Sequence, residues 1–462
     1  MIFRQIFRDK EYLGRLTALA IPLIIQQVIT YSVNLLDTLM IGSFGDIPLA
    51  AVNLVNQFYL IFSIMIFGMI SGGSVLSAQF WGKRDAESIR KVMGIQLVFG
   101  LGTGLFFLAV TQAFPERILR FYSKDEEVIR AGAVYLRIIS AAFLLFPAGQ
   151  VFSGALRCTG NTRVPMVISG VTLTANALLN YILIFGKLGF PALGLKGAAA
   201  ATVIARAAEA FLYIFVTYRR RYPIAASARQ LFSFDRQLIS LLLQKGLPVI
   251  ANELSWGLGV NMYTAIYASI STASIAAYSA VSPIDNIAQA LFFGIGDASA
   301  VMTGNLLGAG SFEKAKRWSK FTLTLSLFLS LLTGMFLFCL RIPLLGLYSL
   351  SPEASALAHR QMAAVAFTLW LRTSNYTLII GVLRPGGQAL YCLITEGLLM
   401  WLGGIPLAWL LANRFGLPVY IVYFGNVTEE IAKLLILFRF YRGGKWLVNL
   451  VSCESRPGIP GN

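Results

Sequence analysis

Long apolar runs separated by short polar segments dominate the chain, and their lengths predict twelve membrane-spanning helices. Each run is long enough to cross a hydrocarbon core of about 30 Å as an α-helix. The apolar runs are continuous, whereas the strands of a transmembrane β-barrel alternate apolar and polar residues. The predicted helices are approximately 16–42, 47–71, 91–113, 130–156, 164–186, 196–218, 246–270, 275–303, 318–340, 354–383, 390–412 and 419–438.

The first of these helices carries a row of polar residues on one face. Gln26, Thr30, Asn34 and Asp37 are spaced four, four and three residues apart, which aligns them along one side of a helix. A carboxylate that faces lipid costs at least a few kcal/mol. Asp37 is therefore predicted to face an interior lined by protein or water.

Composition and charge agree with a polytopic membrane protein. The 462 residues are 57% hydrophobic and only 13% charged, with a mean hydropathy of +0.70, and a soluble protein carries about twice that charged fraction. The net charge of +17 does not indicate nucleic-acid binding, because 25 of the 38 Lys and Arg residues lie in alternate loops. The positive-inside rule then predicts that both termini are cytoplasmic. The basic N-terminus shows no cleavage site, which suggests a bacterial plasma membrane.

The four cysteines show no metal-binding spacing and suggest no disulfide framework. No sequence motif of comparable strength points to catalysis, so an enzyme is not expected.

An internal repeat relates the two halves of the chain. At an offset of 226 residues, Pro22 falls on Pro248 and Gly82 on Gly308. The repeat predicts a six-helix lobe at 1–218, a cytoplasmic loop at 219–245, a second lobe at 246–438 and a cytoplasmic tail at 439–462. Parallel repeats of this kind are typical of transporters that bind substrate between the halves and work by alternating access.

The repeated stretches resemble the multidrug and toxic compound extrusion (MATE) family of the multi-antimicrobial/oligosaccharidyl-lipid/polysaccharide flippase superfamily. They include PLIIQQVITYSVNLLDTLMIGSFG, AQFWGKRDAESIRK and SGALRCTGNTRVP in the first half, and GNLLGAGSFEKAKR and GVLRPGGQ in the second. The resemblance implies an all-α membrane protein with two pseudo-symmetric six-helix lobes around a central cavity. It also implies an antiporter that exports small organic, mostly cationic compounds in exchange for H+ or Na+. We expect a monomer with no other cofactor.

The same resemblance suggests a cation-coupling site in the first lobe. Asp37 matches the aspartate of the family's first helix, and its partners would be Asn176, Asn180 and Thr202. These residues offer oxygen ligands for Na+ but only one negative charge, so proton coupling through Asp37 is an equal alternative.

In the second lobe the resemblance suggests Glu253, five residues after Pro248, as an acid that handles cations or substrate. Amide, aromatic and thioether side chains of both lobes would complete a shared substrate cavity through polar, cation–π and apolar contacts. These residues are Gln27, Tyr31, Asn34, Asn252, Trp256, Met262 and Tyr263.

Other polar residues and two prolines have structural interpretations. Arg206 and Glu209 are three residues apart and are expected to form an ion pair. Arg384 opens a cytoplasmic turn and is expected to cap a helix end or to lie among lipid headgroups. Pro22 and Pro248 lie inside their helices and are predicted to act as hinges.

Two alternative functions remain open at this point. One is a flippase for a lipid-linked precursor, which would need intramembrane bases, here limited to Arg137, Arg206, Arg372 and Lys433. The other is an intramembrane aspartyl protease. Asp297 lies in a Gly-Ile-Gly-Asp sequence and is a further candidate residue, but Asp285 on the same helix is the nearest second acid.

Overall fold

The computed structural model describes residues 2–233 and 236–452, and helices make up most of this part of the chain. The described residues contain no β-strand. In chain order the helices are α1 (Ile2–Arg8), α2 (Lys10–Gly42), α3 (Asp46–Gly82), α4 (Ala86–Ala113), α5 (Pro115–Arg120), α6 (Glu126–Ile139), α7 (Ala142–Cys158), α8 (Arg163–Phe185), α9 (Leu195–Arg219), α10 (Ala228–Leu231), α11 (Arg236–Ile270), α12 (Thr272–Gly308), α13 (Phe312–Leu345), α14 (Pro352–Leu378), α15 (Ala389–Leu399), α16 (Ile405–Asn413) and α17 (Val419–Arg442).

Among the described residues, eight helical segments are long and apolar enough to cross a membrane, with α15 and α16 counted as one. The bent pair α6–α7 makes a ninth. The helices α11, α14 and α17 complete the predicted set of twelve. These three helices are less apolar than the others.

Several helices are longer than their apolar runs, so the predicted boundaries are too narrow. The second predicted helix ends at 71, but α3 continues to Gly82. The next helix, α4, begins at Ala86, where the Asp85 side chain accepts a hydrogen bond from the Ser88 backbone N–H at 2.9 Å. The cytoplasmic loop predicted at 219–245 contains α10 and the first turns of α11.

Three predicted helices are interrupted. The predicted helix 130–156 is divided at 140–141, where α6 and α7 meet at a bend of 49°. A π-helical turn at Ile379–Leu383 follows α14, and another at Met400–Gly404 separates α15 from α16. A π-helical turn accommodates one extra residue and is frequently found beside a functional site.

The chain forms two compact units, and their boundaries lie inside α2 and α11. One unit contains residues 25–250, and the other contains the described residues of 1–24 and 251–462. Each boundary falls two residues after one of the repeated prolines, Pro22 and Pro248. The beginning of α2 therefore packs with the C-terminal helices, as the 3.0 Å hydrogen bond between the hydroxyls of Tyr12 and Thr322 illustrates.

Glycines allow close helix packing in both units. A Cβ at Gly104 of α4 would overlap the backbone carbonyl of Phe143 on α7. A Cβ at Gly334 of α13 would overlap the carbonyl of Ala366 on α14. Small residues let membrane helices approach to backbone contact, and here they do so between the third and fourth spans of each repeat.

The described part of the predicted tail packs within the unit that contains residues 251–452, which is called the C-terminal unit below. Trp446 is 1% exposed, and its Nε1–H donates to the Tyr441 carbonyl at 3.0 Å. A Cβ at Gly386 would overlap the backbone of Trp446. Residues 453–462, which include Cys453, lie outside the described part of the chain.

Candidate functional site

Asp37 and Asn180 form a direct contact in the unit that contains residues 25–250. The Asn180 Nδ2 on α8 donates a 2.7 Å hydrogen bond to Oδ1 of Asp37 on α2. Asn180 is 2% exposed, whereas Asp37 is half-buried. A charge-assisted bond of this kind stabilises an intramembrane carboxylate and fixes its orientation.

Asn176 lies one turn before Asn180 and is 6% exposed. Its Nδ2 has no hydrogen-bond acceptor among the described residues. The Thr202 hydroxyl donates to the Ala198 carbonyl of its own helix at 3.1 Å. Asn180 turns its amide nitrogen toward Asp37, and its Oδ1 is buried and accepts no hydrogen bond from a described residue.

A fixed positive charge lies near this carboxyl. The Arg206 guanidinium is close enough to interact electrostatically with Asp37. It also forms the predicted ion pair with Glu209, with Nη1 and Oε2 2.7 Å apart, and lies 5.1 Å from the ring centroid of Phe146.

The polar face of α2 is divided between packing and exposed positions. The Gln26 Nε2 donates to the Ser169 hydroxyl of α8 at 2.9 Å, which joins the two helices of the site. The candidate residues Gln27 and Tyr31 are half-buried, and Asn34 is exposed.

Glu253 lies in an ion pair that the sequence did not predict. The Arg384 Nη1 donates to the Glu253 Oε1 at 2.7 Å. The Arg384 side chain is 5% exposed and that of Glu253 is 30% exposed. The expectation that the Arg384 side chain caps a helix or lies among headgroups is therefore wrong, because its guanidinium is buried in this ion pair with α11.

Two other candidate residues of the second lobe belong to a buried polar network. The Asn252 Nδ2 donates to the Glu396 Oε2 at 2.7 Å. Tyr263 is 3% exposed, and its hydroxyl donates to the Glu429 Oε2 at 2.6 Å. The remaining candidates in α11 are open to the surroundings, since Trp256 is 51% exposed and Met262 43% exposed.

The centre of this network is Lys433, which sequence reasoning identified only as an intramembrane base. Its Nζ lies 2.8 Å from Glu430, 3.0 Å from Glu429 and 3.7 Å from Glu396. The signal in the sequence was the Glu-Glu-x-x-Lys spacing on α17, which places all three side chains on neighbouring helical positions.

The two aspartates of α12 have different partners and do not form a catalytic pair. Asp285 accepts two hydrogen bonds from Arg372, at 2.7 and 2.8 Å. Asp297 accepts one from the Tyr376 hydroxyl at 3.3 Å. Twelve residues of helix separate the two carboxyls by about 18 Å along the axis, so these residues do not provide the carboxyl pair of an aspartyl protease.

The two hinge candidates lie within uninterrupted helices. Pro22 is the thirteenth residue of α2 and Pro248 the thirteenth of α11. Each lies beside the boundary between the compact units. Their action as hinges stays a prediction.

A family model supports the duplication. The MatE model matches residues 22–182 and again 248–410, so each match begins at one of the repeated prolines. The prediction of an internal repeat is confirmed.

Curated relatives match over nearly their full length. The probable multidrug resistance protein NorM of Thermotoga maritima is 24% identical over 453 residues, which cover 96% of each chain. The probable multidrug resistance protein YoeA of Bacillus subtilis is 25% identical over 429 residues, 91% of this chain and 92% of the relative.

Solved structures share the fold. The outward-facing conformation of a multidrug resistance MATE family transporter matches with a TM-score of 0.86 at 20% identity, covering 93% of this chain and 95% of that one. A transporter of the MOP superfamily from Pyrococcus furiosus matches with a TM-score of 0.85 at 19% identity and the same coverage. Structures of this fold have twelve helices in two lobes, which confirms the predicted fold class. The chain therefore belongs to the MATE family of efflux transporters.

Proposed function

We propose that this protein is a proton-coupled antiporter that exports small organic cations by alternating access, and that Asp37 is the coupling carboxyl. The observation that carries the proposal is the hydrogen bond from Asn180 to Asp37. A carboxyl held in this way by a neutral amide can bind and release a proton with little rearrangement. Proton exchange at this residue would then be linked to movement of α2.

The proton is preferred to sodium on two grounds. The amide nitrogen of Asn180 faces the carboxylate, where a sodium site would present an oxygen. A sodium ion also needs several oxygen ligands around it, whereas a proton needs only one lone pair of the carboxylate.

The excess of acids within the helices supports cationic substrates. Apart from Lys314 and Arg341 near the two ends of α13, the buried or half-buried acids within the spans of the C-terminal unit outnumber the bases by six to three. The acids are Glu253, Asp285, Asp297, Glu396, Glu429 and Glu430, and the bases are Arg372, Arg384 and Lys433. Such a balance attracts positive charge.

The same balance disfavours the lipid-linked precursor alternative. A flippase for a pyrophosphate-linked lipid needs bases that are available to the phosphates. Of the four intramembrane bases recognised in the sequence, Arg206, Arg372 and Lys433 are paired with acids. Arg137 is exposed near the end of α6.

We propose further that the protein acts as a monomer in the bacterial plasma membrane, with both termini in the cytoplasm. The distribution of Lys and Arg among the loops supports this orientation. The substrate role of Glu253 and the aromatic residues near it is part of the proposal.

The test is ethidium efflux driven by an imposed pH gradient and, separately, by an imposed sodium gradient. Asp37→Asn should abolish pH-driven efflux. Asp46→Asn is the matched control, because it makes the same chemical change at an exposed residue. Efflux that follows sodium contradicts the proposed ion, and efflux that follows neither gradient contradicts the antiporter proposal.

A further inference from the structure

Three carboxylates surround one ammonium group in the interior of the C-terminal unit. The side chains of Lys433 and Glu429 on α17 are 3% and 0% exposed, and that of Glu430 is 13% exposed. Glu396 of α15 is 14% exposed. If all four groups were ionised, the cluster would carry two uncompensated negative charges.

Neighbouring charges do not remove this excess. Arg384 interacts electrostatically with Glu396, but it is directly paired with Glu253. Arg372 acts on Glu430, but it is directly paired with Asp285. Each of these arginines is thus balanced by its own carboxylate, and the excess stays with the carboxylates around Lys433.

The three carboxylates differ in their hydrogen bonds and in their distance from the Lys433 ammonium. Glu430 receives a directed hydrogen bond from Lys433 at 2.8 Å and another from the Asn375 Nδ2 at 2.6 Å. Glu396 Oε1 is the most distant oxygen, 3.7 Å from the ammonium nitrogen. Glu430 is therefore the counter-ion of Lys433, and Glu396 gains the least from being ionised.

A buried acceptor without a donor lies in the same cluster. Asn252 is 3% exposed and donates to Glu396, but its Oδ1 accepts no hydrogen bond from a described residue. The Glu429 Oε1 lies 3.0 Å from the Lys433 ammonium, which it shares with Glu430 and Glu396. A buried oxygen that lacks a donor next to a carboxylate indicates that the cluster takes up a hydrogen-bond donor.

The local backbone is adapted to this cluster. The π-helical turn Met400–Gly404 brings Gly404 against the side chains of Tyr263 and Glu429, where a Cβ would lie 2.6 Å from the Glu429 Oε2. Glycine is the residue that leaves room for the hydrogen-bonded pair at this point.

We propose that Glu396, with Glu429 and Lys433, forms a second proton-binding site in the C-terminal unit, separate from Asp37. The proton binds to a carboxylate oxygen of Glu396, which becomes a neutral carboxyl, and it leaves by the reverse step. A sodium ion is disfavoured because the Lys433 ammonium already occupies the position between the carboxylates. The role of this site in transport rests on the proposed proton-coupled export.

The test is infrared difference spectroscopy of the purified full-length protein between about pH 5 and pH 8. The C=O stretching band of a protonated carboxyl is separate from the bands of a carboxylate and shifts in D2O. The wild type should show a band for each of the two carboxyls. Asp37→Asn should remove one of these bands, and Glu396→Gln should remove the other. Glu353→Gln is the matched control, because Glu353 is exposed in the first turn of α14, and it should remove neither band.

A second variant distinguishes loss of the carboxyl from loss of folding in Glu396→Gln. Glu396→Asp keeps a carboxyl and should shift the frequency of the assigned band without removing it. If no band responds to either change at Glu396, the inference is overturned. If sodium at constant pH removes the Glu396 band, the site binds the metal cation and the proton assignment is wrong.

The outcome is independent of the efflux experiment. Efflux that follows the pH gradient and is lost in Asp37→Asn, together with no band from Glu396, supports the proposed function and overturns the second site. A band from Glu396, together with efflux that follows neither gradient, supports the second site and contradicts the proposed function.

Discussion

The ion pair between Glu253 and Arg384 gives a quantitative prediction. Glu253→Gln removes the carboxylate that lies 2.7 Å from the guanidinium and leaves Arg384, which is 5% exposed, without its direct counter-ion. Breaking a buried pair by removing one partner costs about 3–5 kcal/mol. Because the Glu253 side chain is 30% exposed, water replaces part of the lost interaction. We expect the lower end of this range, a loss of about 3 kcal/mol in the free energy of unfolding.

The double variant tests whether the stranded charge is the cause. Glu253→Gln with Arg384→Met removes both charges, and its stability should return to within about 1 kcal/mol of the wild type. The assay is equilibrium unfolding of the purified protein in detergent micelles, with midpoint and slope compared between variants. Glu353→Gln, at an exposed position, should change stability by less than about 0.5 kcal/mol.

Two results would refute this reasoning. One is a Glu253→Gln variant as stable as the wild type, which would mean that the pair contributes nothing in solution. The other is a double variant less stable than either single variant, which would mean that packing of Arg384 outweighs its charge. Efflux by the double variant then separates two roles. Restored efflux assigns the pair a structural role, whereas a stable but inactive double variant assigns Glu253 a direct role in export.

Three further predictions concern packing, a second ion pair and a hinge. Gly404→Ala should destabilise the protein by about 1–3 kcal/mol. Gly403→Ala should not, because no atom lies within 4 Å of the new Cβ. The unfolding midpoints of the two variants test this difference. Arg372→Met should cost about 3–5 kcal/mol, and adding Asp285→Asn should recover most of that loss in the same assay. Pro22→Ala should reduce ethidium efflux at unchanged expression, and full transport by this variant would contradict the hinge.

The first half of the candidate site was accessible from the sequence because its residues follow a helical spacing. The row that ends at Asp37 marks one face of α2, and Asn180 lies on a polar face of α8. Polar faces in apolar surroundings are expected to meet each other or a water-lined interior. The contact between these two side chains is the result, although their roles in coupling stay a prediction.

The contacts of the candidate site in the second lobe could not be predicted from the sequence. They depend on interruptions of the helices that the pattern of apolar residues does not reveal. Arg384 follows a π-helical turn and meets Glu253, 131 residues earlier in the chain. A continuous α-helix would have placed the arginine on another face, so its sequence context indicated a helix end. Lys433 was recognised as an intramembrane base, but its three acidic neighbours come from two helices, and their convergence is a tertiary property.

The position of the unit boundaries has a consequence for biosynthesis. Residues 25–250 form one of the two compact units, and domains generally fold as units during synthesis. The segment before Ile25 leaves the ribosome first, yet its packing partners, such as Thr322, belong to the unit that is completed afterwards. The start of the chain can therefore reach its final packing only after roughly half of the protein has been synthesised. If the gene were divided at the loop between the repeats, the segment before Ile25 and its packing partners would lie on different polypeptides.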